Sequence, residues 1–161
     1  MPRKPFDLEA LGMPMGTFIL LAHTGQKLHH RIENSGGYGD LTSSQFYSLM
    51  ALDDLGSLPL SKISEHIRRS PGNMTLVIDN LEKEGLVERQ RSTEDRRVIM
   101  IAMTEEGKKR IKAAKASHRA VIEKEMSVLT AEEILQLRNL LLKFHPEHKK
   151  QLEEAFKKKE Q

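Results

Sequence analysis

The chain has 161 residues and no cysteine, and its 26 Lys and Arg against 23 Asp and Glu give a formal net charge of +3 at pH 7. This length suffices for one well-filled core and is too short for two. The absence of cysteine excludes disulfides and thiol-based redox sensing within the chain. The longest apolar cluster, residues 18–22, is too short to span a bilayer, and no signal-peptide pattern is present, so we expect a soluble cytoplasmic protein.

The first two predicted elements are helices separated by a loop. The first helix is expected over residues 7–34, and the glycine-rich segment 35–40 predicts a loop. Thr42, with Gln45 three residues later, forms a capping box that begins the second helix. The apolar positions of these two helices are Phe18, Leu21, Leu28, Ile32, Phe46, Leu49, Met50 and Leu52.

Residues 61–107 predict a short third helix, a tight turn, a fourth helix and a hairpin, in that order. Pro71 fits the first turn of the fourth helix, and Gly85 is suited to end it. The alternating segments 86–91 and 97–103 predict two strands around a polar tip. This order describes a helix-turn-helix with a β-wing, which is typical of proteins that bind duplex DNA.

Two further helices follow the hairpin. Thr104 begins a long one, and Thr130 with Glu133 forms a second capping box at the start of a leucine-rich one. The first and last helices have more apolar surface than a small wing domain can cover, which indicates pairing with a second copy. We predict a mainly α fold with a small β-wing (α+β), divided into a winged helix-turn-helix domain over residues 41–104, a helical dimerisation region over 7–34 and 105–150, and a charged tail over 151–161.

The fourth helix has one apolar face and one small, polar face. Its acidic residues come late, at Asp79, Glu82 and Glu84, where a duplex would repel them. We therefore expect its N-terminal end to enter the major groove, with Asn73 pairing with adenine and Leu76 limited to apolar contact, for example with a thymine methyl. Such a segment in isolation would more often be an ordinary capped helix, but the adjoining hairpin reverses this balance.

Basic residues collect at the turn and in the hairpin, at Arg68, Arg69, Arg89, Arg91, Arg96 and Arg97. One arginine of the tip is expected to enter the minor groove, with Asp95 bracing its neighbour Arg96 through a charge-assisted hydrogen bond. The competing interpretation is a solvated turn with a weak surface ion pair. The candidate DNA contacts are Ser61, Lys62, Arg68, Arg69, Ser70, Gly72, Asn73, Met74, Thr75, Leu76, Arg91, Asp95, Arg96 and Arg97.

Residues 60–107 resemble the MarR family of winged helix-turn-helix regulators. The matching segments are Asn73-Met74-Thr75, residues 79–89, Asp95-Arg96-Arg97 and residues 104–107, and the flanking helices fit as well. The resemblance implies a homodimer that is joined through the first and last helices and bound to a pseudo-palindromic operator. It also implies a repressor that a small ligand releases, often a phenolic or aromatic acid. Leu76 departs from the pattern, because many relatives have a basic or polar residue there.

In the resembled family, small molecules bind between the dimer helices and the winged domain. The candidate effector contacts in this chain are His23, Lys27, Tyr47 and His118, because a cation beside an aromatic crevice suits a carboxylate or phenolate. For each of the four taken alone, an ordinary surface or core role is the stronger interpretation. The expected partners are thus double-stranded DNA, a second copy of the chain and a small effector, with no membrane.

Three other functions compete with that of a ligand-responsive DNA-binding repressor. A metal-responsive regulator is suggested by the seven histidines, but their spacing forms no persuasive metal motif. A winged helix that binds protein is disfavoured by the arginines of the turn and wing. No nucleophile–base pair or glycine-rich phosphate loop is present, so we predict no enzyme, no bound cofactor and no metal.

Overall fold

The structure, a computed structural model, describes residues 12–67, 71–92, 95 and 97–145. The helices are α1 (Met13–Asn34), α2 (Ser43–Leu55), α3 (Leu60–His66), α4 (Pro71–Lys83), α5 (Glu105–Met126) and α6 (Ala131–Leu141). Three strands, β1 (Leu58–Pro59), β2 (Val87–Arg91) and β3 (Ile99–Met103), form one antiparallel sheet in the order β1-β3-β2. The predicted fold class, mainly α with a small β-wing, is confirmed. None of the helices in the described part of the chain has the length and apolar character needed to cross a membrane.

The chain divides into two compact units, Met1–Ile122 and Glu123–Gln161. The first contains α1 to α4, the sheet and most of α5, and the second contains the end of α5 and all of α6. The predicted charged tail, residues 151–161, lies outside the described residues.

Local side-chain hydrogen bonds determine where the helices begin. The Thr42 hydroxyl accepts the Gln45 N–H at 3.2 Å, and the Gln45 side-chain oxygen accepts the Thr42 N–H at 2.9 Å. Thr130 and Glu133 repeat this arrangement at the start of α6. Both predicted capping boxes are therefore confirmed.

The start of α1 differs from the prediction. The helix begins at Met13 rather than at residue 7, and residues 7–11 lie outside the described part of the chain. Gly12, directly before the helix, has a φ of 71°, a left-handed conformation that glycine adopts without strain. Pro14 then lies in the first turn, where its missing N–H costs no hydrogen bond.

The hydrophobic core lies in the first unit, between the helices and the sheet. The apolar faces predicted for α2 and α4 are confirmed, since Phe46, Leu49, Ile78 and Leu81 are fully buried. The buried cluster consists of Tyr38, Leu41, Phe46, Leu49, Leu52, Ile63, Met74, Ile78, Leu81, Leu86, Val87, Ile101, Ile111 and Ala114.

Two parts of this architecture were not predicted. Tyr38 lies in the segment predicted as a loop from its composition, yet only 2% of its surface is exposed. The strand β1 has two residues, Leu58–Pro59, which pair with Ile101 and Met100 of β3. A two-residue strand is too short to show the alternation by which a sequence reveals strands.

The start of α5 packs against the turn between α4 and β2. The Thr104 N–H donates to the Leu86 carbonyl at 3.1 Å, and the Thr104 hydroxyl donates to the Gly85 carbonyl at 2.7 Å. Gly107 is buried at this junction. A Cβ atom there would overlap the Leu86 carbonyl oxygen and would lie 2.7 Å from Met103 Cγ. Only glycine permits this close approach of α5.

We predict that Gly107→Ala lowers the free energy of unfolding by about 1–3 kcal/mol, because the added methyl group meets backbone that must move. The matched control is Gly25→Ala within α1, where a Cβ atom would have no neighbour within 4 Å. That control should raise stability by about 0.5–1 kcal/mol through helix propensity. Urea denaturation measures both, and equal effects would contradict the packing argument.

Candidate nucleic-acid interface

Helix α4 has a buried stripe and an exposed face. Met74 was predicted as a DNA contact, but its side chain is fully buried with Ile78 and Leu81. That prediction was wrong, because the sequence motif includes a residue whose side chain belongs to the core. The exposed residues of the helix include Asn73, Thr75, Leu76 and Asn80.

Arg89 of β2 joins the wing to α4. Its Nη2 donates to Asp79 Oδ1 at 2.5 Å, and its Nη1 forms an ion pair with Glu82. Hydrogen bonding to Asp79 raises the pKa of Arg89 above its ordinary value. Arg89 belongs to the basic residues of the predicted hairpin, but its guanidinium is engaged by these two carboxylates.

Glu84, which directly follows the last residue of α4, also has a partner within the chain. Gln45 donates from Nε2 to Glu84 Oε1 at 2.9 Å, while its side-chain oxygen completes the cap of α2. One glutamine side chain therefore fixes the start of α2 and holds the carboxylate near the end of α4.

Asp95 orders the tip of the wing through backbone contacts. Its Oδ1 accepts the Arg97 N–H at 2.9 Å, and its own carbonyl accepts the Val98 N–H at 2.9 Å. Because residues 97 and 98 belong to this turn, β3 begins at Ile99 rather than at the predicted residue 97. The predicted contact from Asp95 to Arg96 lies outside the described residues. Arg91 and Arg97 are both exposed.

The remaining candidate DNA contacts lie before or at the start of α4. Ser61 and Lys62 are exposed in α3, and Lys62 Nζ lies 2.8 Å from Glu65 Oε2 in a largely exposed ion pair. Gly72 belongs to the first turn of α4. The other three, Arg68, Arg69 and Ser70, lie outside the described residues.

A cluster of rings, called here the aromatic cluster, occupies a second region of the same unit. It consists of His29, Tyr38, Phe46, Tyr47 and His118. The Tyr38 ring stacks on His118 with centroids 5.3 Å apart. The Tyr38 hydroxyl lies 3.3 Å from His29 Nδ1 and 3.5 Å from the Tyr47 hydroxyl. Burial raises the pKa of the Tyr38 phenol above its ordinary value, so this group remains neutral and can donate a hydrogen bond.

The aromatic cluster contains two of the four candidate effector contacts. Tyr47 and His118 have ring centroids 6.4 Å apart, and His118 Nδ1 lies 3.1 Å from the Gly37 carbonyl oxygen. His23 and Lys27 are exposed on α1. Tyr38 and His29 were not predicted as effector contacts, although the chain has only two tyrosines and both belong to this cluster. That scarcity was the available signal.

An open cleft of about 260 Å³ adjoins Tyr47 and is lined by Tyr47, Met50, Ala51, His66 and Ile67. Its volume is slightly below the usual range for small-molecule sites, which begins at about 300 Å³. Over the residues that the structure describes, no three histidine or acidic side chains are grouped so as to hold a metal ion.

Comparison with known proteins places this architecture in a family. A sequence profile of the MarR family matches residues 41–99. The HTH-type transcriptional repressor MdtR of Bacillus subtilis (strain 168) is 34% identical over 118 residues, covering 73% of this chain and 76% of that protein. The crystal structure of YusO from Bacillus subtilis is 32% identical with a TM-score of 0.62, covering 81% of this chain and 92% of that one. A MarR variant from E. coli complexed with operator DNA shares the fold, with a TM-score of 0.69 at 22% identity over 82% of this chain and 94% of that one. The chain therefore belongs to the MarR family of winged helix-turn-helix transcriptional regulators.

Proposed function

We propose that this protein is a repressor that binds a pseudo-palindromic operator as a homodimer and releases it when a small phenolic or aromatic acid binds. The observation that carries this proposal is α4, whose exposed residues lie opposite a fully buried stripe and whose late acids have partners within the chain. The name of the relative MdtR, a transcriptional repressor, supports the direction of regulation.

The charge distribution along α4 favours approach of its N-terminal end to DNA. Its first turn contains no acidic residue, so the backbone N–H groups there remain attractive to phosphate. Asp79 and Glu82 come later, and both form ion pairs with Arg89, whose single positive charge offsets one of their two negative charges. The helix therefore enters the major groove from its N-terminal end, while the exposed Arg97 of the wing lies against the backbone or the minor groove.

The wing arginines should contribute to affinity through phosphate neutralisation. We predict that Arg96→Ala combined with Arg97→Ala weakens binding at least about tenfold and lowers the slope of log affinity against log salt by about 4, because the homodimer loses two arginines from each of its two wings. The probe is an operator duplex recovered by selecting bound fragments from the source genome, and fluorescence anisotropy measures binding across salt concentrations.

Arg89→Ala is the matched control. Arg89 belongs to the same hairpin, but its partners are the carboxylates of Asp79 and Glu82. Its removal leaves these two acids unpaired, so we expect operator affinity to fall. The slope of log affinity against log salt should stay unchanged, because no phosphate contact is lost. An unchanged salt slope in the double variant would contradict the wing assignment. Failure of the selection to enrich any sequence would contradict the proposed function itself.

The dimer proposal rests on apolar surface that a single chain leaves uncovered. No residue of the fully described helix α6 is buried, although it is rich in leucine. On α1, Met13 and Phe18 are 86% and 65% exposed. Exposed apolar surface of this extent is typical of an interface, and a second copy would cover it symmetrically. We therefore infer that α1 and the region formed by α5 and α6 are the dimerisation region.

We expect sedimentation to show a dimer at micromolar concentration. Leu140→Glu, on α6, should shift the protein to monomer, because a carboxylate cannot be buried unpaired at the interface. Leu55→Glu is the control, since Leu55 of α2 has the same 55% exposure but lies outside the proposed dimer helices. A stable monomer in the unmodified protein would rule the dimer out.

We infer that the aromatic cluster and the cleft beside Tyr47 receive the effector. Aromatic walls with a few polar groups suit a flat ring that has one charged or hydroxyl substituent. The neutral Tyr38 phenol and the two ring histidines of the cluster supply hydrogen-bonding groups. In an operator-bound dimer, the two α4 helices must match major grooves roughly 34–36 Å apart. A ligand would release the operator if it favoured a dimer in which they no longer do so.

The test is a titration of the protein–operator complex with a panel of phenolic and aromatic carboxylates that includes 4-hydroxybenzoate. We predict that at least one lowers operator affinity, and that His118→Ala abolishes this response while retaining operator binding within about twofold, since the His118 ring contacts Tyr38, Phe46 and Tyr47, none of which belongs to α4 or the wing. Lys27→Ala changes an exposed residue of α1 and tests the prediction that the Lys27 cation contacts the effector. A response unchanged in His118→Ala would exclude the aromatic cluster.

A further inference from the structure

Leu76 occupies an unusual position on α4. With 3.6 residues per turn, successive side chains are about 100° apart, so residue 76 projects about 180° from the centre of the stripe formed by Met74, Ile78 and Leu81. Those three side chains are fully buried, whereas Leu76 is 63% exposed. The most outward-facing residue in the middle of the helix is therefore an aliphatic side chain with no role in the core.

The neighbours of Leu76 on this face are amides. Asn73 and Asn80, at helical spacings of three and four residues, are both exposed. From Asn73 to Glu82 the helix contains no lysine or arginine. The two acids of that segment, Asp79 and Glu82, are both bound by Arg89.

These side chains match one type of base pair in the major groove. Guanine is read mainly by arginine or lysine, and cytosine by carboxylates. Between Asn73 and Asn80 the helix has no basic residue and its one acid, Asp79, is paired with Arg89; Lys83 lies seven residues after Leu76, at the C-terminal end of the helix. Asparagine pairs bidentately with adenine, and aliphatic groups contact the methyl group of thymine. The exposed face of α4 is thus chemically complementary to A·T pairs.

We propose that Leu76 is a specificity-determining residue that contacts the 5-methyl group of a thymine in each operator half-site, with A·T pairs beside it facing Asn73 and Asn80. This inference rests on the proposed function, because it assumes that α4 enters the major groove. It adds which base pair is preferred at the centre of each half-site. A lysine or arginine in place of Leu76 would change that preference.

The experiment removes the methyl group from the DNA and the isobutyl group from the protein. In the operator duplex recovered by the genomic selection, each thymine is replaced in turn by deoxyuridine, which retains Watson–Crick pairing. Affinities are measured for the unmodified protein, Leu76→Ala and Leu76→Met. Leu76→Ala places a strong helix former at an exposed site, so the variant is expected to fold.

At one thymine per half-site, deoxyuridine should weaken binding of the unmodified protein about fourfold, which corresponds to the loss of one buried methyl group. Leu76→Ala should bind more weakly and be insensitive to that replacement, whereas Leu76→Met should remain sensitive. Thymines outside the half-sites serve as internal controls. Identical deoxyuridine profiles for the unmodified protein and Leu76→Ala would overturn the proposal while leaving the proposed function intact. Absence of any selected operator would overturn both.

Discussion

The burial of Met74, Ile78 and Leu81 is the constraint on which the candidate interface depends. Three large apolar side chains on one stripe allow α4 a single rotation about its axis, because any other would expose them to water. That rotation directs Leu76 and its polar neighbours to the surface. The hydrophobic core thus determines which side chains of α4 are available to the proposed contact with DNA.

Electrostatics complete what packing begins. Three acids at or just beyond the C-terminal end of α4 would disfavour approach to DNA if they had no partners within the chain. Arg89 engages Asp79 and Glu82 from the wing, and Gln45 engages Glu84 from the start of α2. The contact between Gln45 and Glu84 also joins positions 39 residues apart in the sequence. Arg89 is therefore part of the scaffold rather than of the proposed phosphate-binding surface.

The two compact units differ in how their apolar residues are used. The first unit has a closed core centred on the sheet and α2 to α5, while α6 of the second unit has no buried residue. The aromatic cluster, in contrast, is built within the first unit from α1, α2, α5 and the loop after α1. Its polar groups occur where helices meet, which is the kind of location where small molecules bind.

The sequence by itself determined the order of the six helices and of strands β2 and β3, both capping boxes and the buried faces of α2 and α4, because these follow from local hydrogen bonds and short-range periodicity. It also identified the family through motifs within residues 60–107. Only the tertiary structure decided that Tyr38 fills the interior from a glycine-rich loop and that Arg89 binds Asp79 and Glu82 of α4. Each of these depends on groups brought together by packing, and a pattern along one chain has no means of recording such proximity.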